Sequence, residues 1–105
     1  MTRFLVRLTM RYTRISCMPF RASMDFDRVV LGDDEEDAVR QACLCIDRDL
    51  EELLWAVNTI NVSEVLVEVR GVEESGAAAR EEPWNPEPFP PSVEIPPHVV
   101  LLSGV

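Results

Sequence analysis

Proline is concentrated in one stretch of this chain and limits what that stretch can fold into. Seven of the eight prolines lie between Pro83 and Pro97 in a sequence of 105 residues. Proline lacks the backbone N–H that helices and inner strands require, and its ring favours an extended path. We therefore expect residues 73–105 to form a linker and an extended arm, and we expect the folded domain to lie within residues 1–72.

Two segments near the N-terminus alternate between apolar and polar residues, which is typical of half-buried strands. Within residues 2–13, aromatic and aliphatic side chains lie at even positions from Phe4 to Tyr12, and arginines and threonines lie at odd positions, with Leu5 as the exception. Residues 24–32, MDFDRVVLG, form a second predicted strand that ends at Gly32. The two are predicted to form a hairpin with a wide loop.

Residues 34–57 change to a helical period, and the acids of DDEED lie where the positive end of a helix dipole favours them. Asp33 is predicted to cap this helix together with Glu36. The apolar spacing also fits three coiled-coil heptads, but a helix packed on a sheet gives the same pattern, and we favour the sheet. The predicted apolar stripe consists of Val39, Cys43, Ile46, Leu50, Leu53 and Val57.

A third predicted strand, SEVLVEVRGV, follows at residues 63–72. A helix of about 23 residues is about 35 Å long, comparable to a strand of about eleven residues. A right-handed crossover would place the third strand beside the first. The predicted fold is therefore α+β: a small ββαβ domain with a three-stranded sheet in the order 2-1-3 and one long helix on one face, followed by an extended Pro-rich C-terminal arm.

Charge is distributed unevenly and bears on partners and location. Residues 1–28 carry six arginines against two acids, whereas the whole chain has a formal net charge of −9. Such a charge repels nucleic acid and anionic membranes over most of the surface, so neither is expected as a partner. Arginines interrupt the N-terminal segment, so we expect no signal peptide, no membrane span and a cytoplasmic or virion location.

No residue pattern in the chain predicts catalysis, a cofactor or a metal site. Nine acids lie between Asp33 and Glu52, but there is one histidine, His98, and no glycine-rich phosphate loop or CxxC pair. We expect the acids to form a solvated helix face. Cys43 is expected to be a small core residue. Cys17 lies in the predicted loop and could be a reactive thiol, which is the less favoured interpretation of that residue. We therefore expect a protein that is not an enzyme.

Arginines of the first predicted strand form a basic row, Arg3, Arg7 and Arg11. Such a row on a sheet face could follow a phosphate backbone. The alternative is cross-strand pairing with Glu64 and Glu68 on the third strand, and the overall charge favours that alternative.

The C-terminal arm carries the residues that we predict to bind a partner. Large aromatic side chains separated by prolines are typical of segments that dock in grooves, and a β-branched apolar run at a chain end is suited to strand addition. The predicted function is that of a non-enzymatic interaction or structural subunit of a multi-protein assembly, such as a phage virion, or of a homo-oligomer. The alternative is a small acidic inhibitor that mimics nucleic acid and blocks a host nucleic-acid-binding machine. The predicted partner-binding residues are Trp84, Phe89, Val99, Val100, Leu101 and Leu102.

Overall fold

A computed structural model of the protein describes residues 1–14, 20–56, 62–74 and 82–102. These residues form four strands and one helix, and the secondary-structure class is α+β as predicted. The elements in chain order are β1 (Thr2–Arg14), β2 (Phe20–Gly32), α1 (Glu35–Ala56), β3 (Val62–Glu74) and β4 (Val99–Leu102).

The strands form one mixed sheet in the order β2-β1-β3-β4. β1 pairs antiparallel with both β2 and β3, while β4 pairs parallel with β3. The predicted three-stranded sheet is not confirmed, although its order 2-1-3 is retained within the larger sheet. The separate Pro-rich arm is not confirmed either, because the end of the chain supplies the fourth strand.

The core lies between one face of the sheet and α1. Alternate residues of β1 and β3 are buried there, as the period-two pattern predicts. The helix contributes its predicted stripe at Cys43 and Ile46, while Val39 and Leu50 pack at the margin. Leu53 and Val57 lie outside the residues whose side chains are described. The other buried members of the core are Phe4, Val6, Leu8, Met10, Tyr12, Phe26, Val30, Ala38, Ala42, Val65, Val67, Val69 and Val99.

A bulge changes the alternation along β3. Leu8 pairs with Val69 and Arg7 pairs with Gly71, so Arg70 is an extra residue between them. The extra residue shifts the alternation by one position. Val72 therefore packs against the core, at a position that strict alternation from Val69 would give to the other face. The guanidinium of Arg70 bonds the Leu8 carbonyl at 3.3 Å.

Candidate protein-binding groove

The first turn of α1 forms one wall of a groove. Hydrogen bonds of Asp34 and Asp37 hold that turn in place. Asp34 accepts a hydrogen bond from the Asp37 N–H at 2.8 Å, and Asp37 accepts one from the Asp33 N–H at 2.9 Å. The cap therefore lies one residue later than the predicted pair of Asp33 and Glu36. Adjacent aspartates fit the capping pattern equally well, so the sequence does not distinguish them.

Asp37 is held as a carboxylate by its neighbours. Burial alone would raise its pKa, but the bond from the Asp33 N–H and the bonds and charge of Arg40 outweigh it and lower the pKa. Gly32 brings the strand before this turn close to the helix, because a Cβ at Gly32 would lie 2.9 Å from the Ala38 backbone nitrogen. The helix start is thereby fixed against the end of β2.

Residues 82–98 form the strap, our name for the segment that crosses α1 before β4. The carboxamide of Gln41, which is 1% exposed, donates to the Phe89 carbonyl at 2.9 Å and accepts from the Phe89 N–H at 2.8 Å. The Arg40 guanidinium donates to the carbonyls of Pro90 and Val93 at 3.2 and 2.7 Å. Two helix side chains thus bind the backbone of the strap.

Trp84 attaches the start of the strap. Its backbone N–H donates to the Val29 carbonyl at 2.7 Å, and its ring meets Phe26 edge-on with centroids 6.0 Å apart. The Arg28 guanidinium lies over both rings, and the indole N–H donates to Asp49. Hydrogen bonds from Arg48, together with the indole bond, lower the pKa of Asp49 despite its partial burial.

The end of the strap leads into β4. His98 Nε2 lies 2.5 Å from Asp47 Oδ1 on the helix, and the His98 carbonyl accepts from the Val65 N–H at 2.9 Å. β4 then runs beside β3 with Val99 opposite Val65 and Leu101 opposite Val67. Val99 and Leu101 therefore lie on the helix side of the sheet, while Val100 and Leu102 lie on the other.

A groove of about 740 Å³ opens where the strap, α1, β3 and β4 meet. Its floor is apolar and is built by side chains from all four segments. Its rim is the acidic first turn of α1. The lining residues are Val39, Val72, Ile95 and Leu101 from the floor, with Asp34, Glu35, Glu36, Asp37 and Arg40 from the rim.

The groove adjoins an open edge of the sheet. Among the described strands, β4 is terminal and pairs only with β3. The His98 carbonyl points toward β3, so the alternation of a strand directs the N–H and C=O of Leu101 outward. Leu101 is 40% exposed, and the only other exposed large hydrophobic residue in the described part of the chain is Met1.

The predicted partner-binding residues are thus divided between two environments. Trp84 and Phe89 contact the protein's own helix and β2, and Val99 is buried in its own core. Val100 and Leu102 are half-buried on the outer sheet face, and Leu101 reaches the groove. Their role in binding a partner stays a prediction. Sequence analysis missed the groove residues of α1, β3 and the strap, because no local pattern shows that these segments meet.

Two arginines of the basic row of β1, Arg7 and Arg11, are paired within the sheet. Arg11 contacts Glu68 at 2.7 Å, as the cross-strand alternative predicts, and Arg7 contacts Glu73 at 3.1 Å rather than Glu64. These exposed pairs contribute little to stability, on the order of 0 to 1 kcal/mol each. They do place carboxylates beside the arginines that could otherwise follow a phosphate backbone.

The described cysteines are poor nucleophiles. Burial raises the pKa of Cys43 to about 12, and burial likewise raises the pKa of Cys45 to about 12. Cys17 lies outside the described residues. In the part of the chain that the structure describes, no three histidine, cysteine or acidic side chains come together as metal ligands, and no helix is long and apolar enough to cross a membrane.

The protein is a small α+β protein in which one helix packs on a mixed sheet and is crossed by the strap. A scan against models of known protein families found no match to this chain. Searches of the curated proteins and of the solved structures found none either.

Proposed function

We propose that this protein is a non-enzymatic interaction subunit that binds another polypeptide at the groove and at the adjoining edge of β4. The observation that carries the proposal is Leu101, an exposed leucine on a terminal strand beside an apolar groove. An exposed apolar surface rimmed by polar residues is typical of a protein-binding site, and an unpaired strand edge is a template for another chain.

The proposal assigns different tasks to the two ends of the C-terminal segment. Trp84 and Phe89 hold the strap on the protein's own helix, so they are not the anchors that we assign to a partner. Leu101, with the floor residues Val39 and Ile95, supplies the partner contact instead. A second copy of this chain and a different protein are both compatible with such a surface, and a virion is one assembly in which it could operate.

Site-specific photo-crosslinking in the cells that produce the protein tests this function. A benzophenone side chain placed at Leu101 should give a covalent adduct whose mass identifies a second copy or another protein. The matched control places the same group at Glu87, which is exposed on the strap and does not line the groove. Thermal unfolding should first establish that both variants are folded. Absence of an adduct at Leu101, or equal adducts at both positions, would overturn the proposal.

The alternative, a nucleic-acid mimic, requires a regular row of free carboxylates on α1. Three acids of that helix already have partners within the protein: Asp37 binds Arg40, Asp47 binds His98, and Asp49 binds Trp84. We therefore favour the interaction subunit, and the inhibitor stays a prediction.

A further inference from the structure

We infer that the occupant of the groove is an extended basic segment of a protein partner, added as a new strand to the outer edge of β4. This inference rests on the function proposed above and deepens it, because it states the chemistry of the segment that the groove accepts. Three features of the site carry it: the open backbone edge, the apolar floor and the charge of the rim.

The backbone edge defines an extended ligand. The Leu101 N–H and C=O point away from β3, and the strand alternation directs the Val99 carbonyl the same way. The Val99 N–H is already bonded to the Pro96 carbonyl at 3.0 Å. Within the described residues, one donor and two acceptors therefore remain along the edge, which a strand can bond with its own backbone. A helix offers no backbone groups of this kind, because its internal hydrogen bonds use them.

The floor requires apolar side chains at every second position of that strand. Successive residues of an added strand point to opposite sheet faces. Residues on the helix side would lie over Leu101 and reach Val39, Val72 and Ile95. A segment that is polar at all positions would leave this floor exposed to water.

The acidic rim favours a ligand segment that carries positive charge. Asp34 and Asp37 are engaged in the helix cap, and the Arg40 guanidinium is bound by Asp37 and the strap carbonyls. Glu35 and Glu36 are exposed at the rim, and neither carboxylate forms a hydrogen bond or an ion pair with another residue in the described part of the chain. The net charge of −9 adds a long-range attraction for cations. Arginine or lysine beside the apolar positions therefore complements the site.

Two synthetic probes test this chemistry with the full-length protein. Ten-residue capped peptides of alternating valine and arginine, or valine and glutamate, are labelled and titrated by fluorescence anisotropy. The valine–arginine peptide should bind at least about tenfold more tightly, with an affinity that falls as salt rises. Equal affinities, or tighter binding of the valine–glutamate peptide, would overturn the inference.

Variants with equal net charge separate the rim from the charge of the whole protein. The double variant Glu35→Gln/Glu36→Gln should weaken binding of the valine–arginine peptide about threefold to tenfold. The matched control Glu82→Gln/Glu87→Gln removes two exposed charges from the strap and should lower the affinity clearly less than the rim variant does. An equal loss in both would show that attraction to the overall charge suffices, and the rim would then have no special role.

A proline substitution tests the backbone contact at the outer edge of β4. Leu101→Pro removes the outward N–H without touching a bond to β3, and proline is tolerated on edge strands. It should abolish peptide binding while thermal unfolding stays close to that of the wild type. If it unfolds the protein, Leu101→Asp, which keeps the backbone but charges the floor, takes its place. Unchanged binding by folded Leu101→Pro would refute strand addition, and unchanged binding by Leu101→Asp would refute the contact with the apolar floor.

The two proposals fail in different ways. A crosslink at Leu101 combined with no preference between the peptides would overturn the basic strand and leave the interaction function standing. Absence of the crosslink would overturn the interaction function itself, whatever the peptides do.

Discussion

The two sides of α1 are held by different forces. Toward the sheet, the helix presents Ala38, Ala42 and Ile46, which are fully buried among aliphatic and aromatic side chains. Toward the strap, it presents Arg40 and Gln41, which bond backbone groups. The sheet side is stabilised by apolar burial, whereas the strap side depends on directional hydrogen bonds.

The proline content of the strap explains why the strap side of α1 depends on hydrogen bonds. A strap with seven prolines has few N–H groups to pair with its own carbonyls, although the Val93 N–H does donate to the Pro90 carbonyl at 3.0 Å. Its other buried carbonyls need donors from elsewhere. Arg40 and Gln41 supply those donors, and no buried side-chain polar atom in the described part of the chain lacks a partner. Apolar burial tolerates small shifts, but these hydrogen bonds fix the strap at one position. The bond to the Val93 carbonyl lies two residues before Ile95, which lines the groove.

Removal of the whole strap and β4 is expected to cause the largest loss of stability. Deleting residues 83–105 takes Val99 from the core and uncovers Gln41 and the Trp84 contact surface on Phe26. A small domain has a total stability of only about 5–15 kcal/mol, so we expect the truncated chain to lose its cooperative fold. Circular dichroism with thermal unfolding measures this loss.

Sequence analysis alone predicts the opposite result for this deletion, since it places the folded domain in residues 1–72. A cooperative transition in the truncated chain, at a temperature near that of the full chain, would support that simpler division. It would also show that the strap contributes little.

A smaller effect is expected from a cavity on the sheet side. Ile46→Ala should lower the free energy of unfolding by about 2 to 5 kcal/mol, because Ile46 is fully buried. Leu50→Ala should cost less, since Leu50 is at the margin of the core. Urea unfolding of both variants measures the difference. Equal losses would mean that the core extends further along the helix than the described side chains indicate.

The sheet side could be predicted because its signal is periodic. Alternation in residues 2–13 and 63–72 and a helical stripe through Cys43 and Ile46 are enough to identify the buried faces from the amino-acid sequence. The right-handed crossover then gives the order 2-1-3. The bulge at Arg70 could not be predicted, because nothing in the local sequence specifies an extra residue there.

The strap side could not be predicted in the same way. Its bonds use carbonyls of Phe89, Pro90 and Val93, which every residue type possesses, so side-chain patterns contain no signal for them. The apolar run at Val99–Leu102 is suited to pairing with a strand edge. The sequence does not distinguish an edge of the protein's own sheet from that of another molecule.

A smaller loss of stability is expected when one hydrogen-bonding side chain that holds the strap is replaced. Gln41→Leu keeps a side chain of similar size but leaves the Phe89 N–H without its partner, while the Phe89 C=O keeps only the bond from Arg40 at 3.3 Å. An unpaired buried polar group costs about 1 to 3 kcal/mol, so the free energy of unfolding should fall by that amount. Urea unfolding measures it, with Glu52→Leu as a control at an exposed helix position. A loss no greater than that of the control would mean that the strap does not depend on this bond.

The smallest effect concerns the pH dependence of the strap's attachment at Asp49. Because hydrogen bonds from Arg48 and Trp84 lower the pKa of Asp49 in the folded state, its contribution to stability is present above the unfolded pKa of about 4 and is lost as the pH falls through the lower folded value. Asp49→Asn removes the titration but keeps an oxygen that can accept from the indole. Unfolding free energies at pH 7 and pH 3 should therefore differ less for Asp49→Asn than for the wild type, by less than about 1 kcal/mol, because the group is near the surface. Glu87→Gln, at an exposed strap position, corrects for the change in net charge, and a pH dependence of Asp49→Asn equal to that of Glu87→Gln would show that Asp49 does not couple the strap to pH.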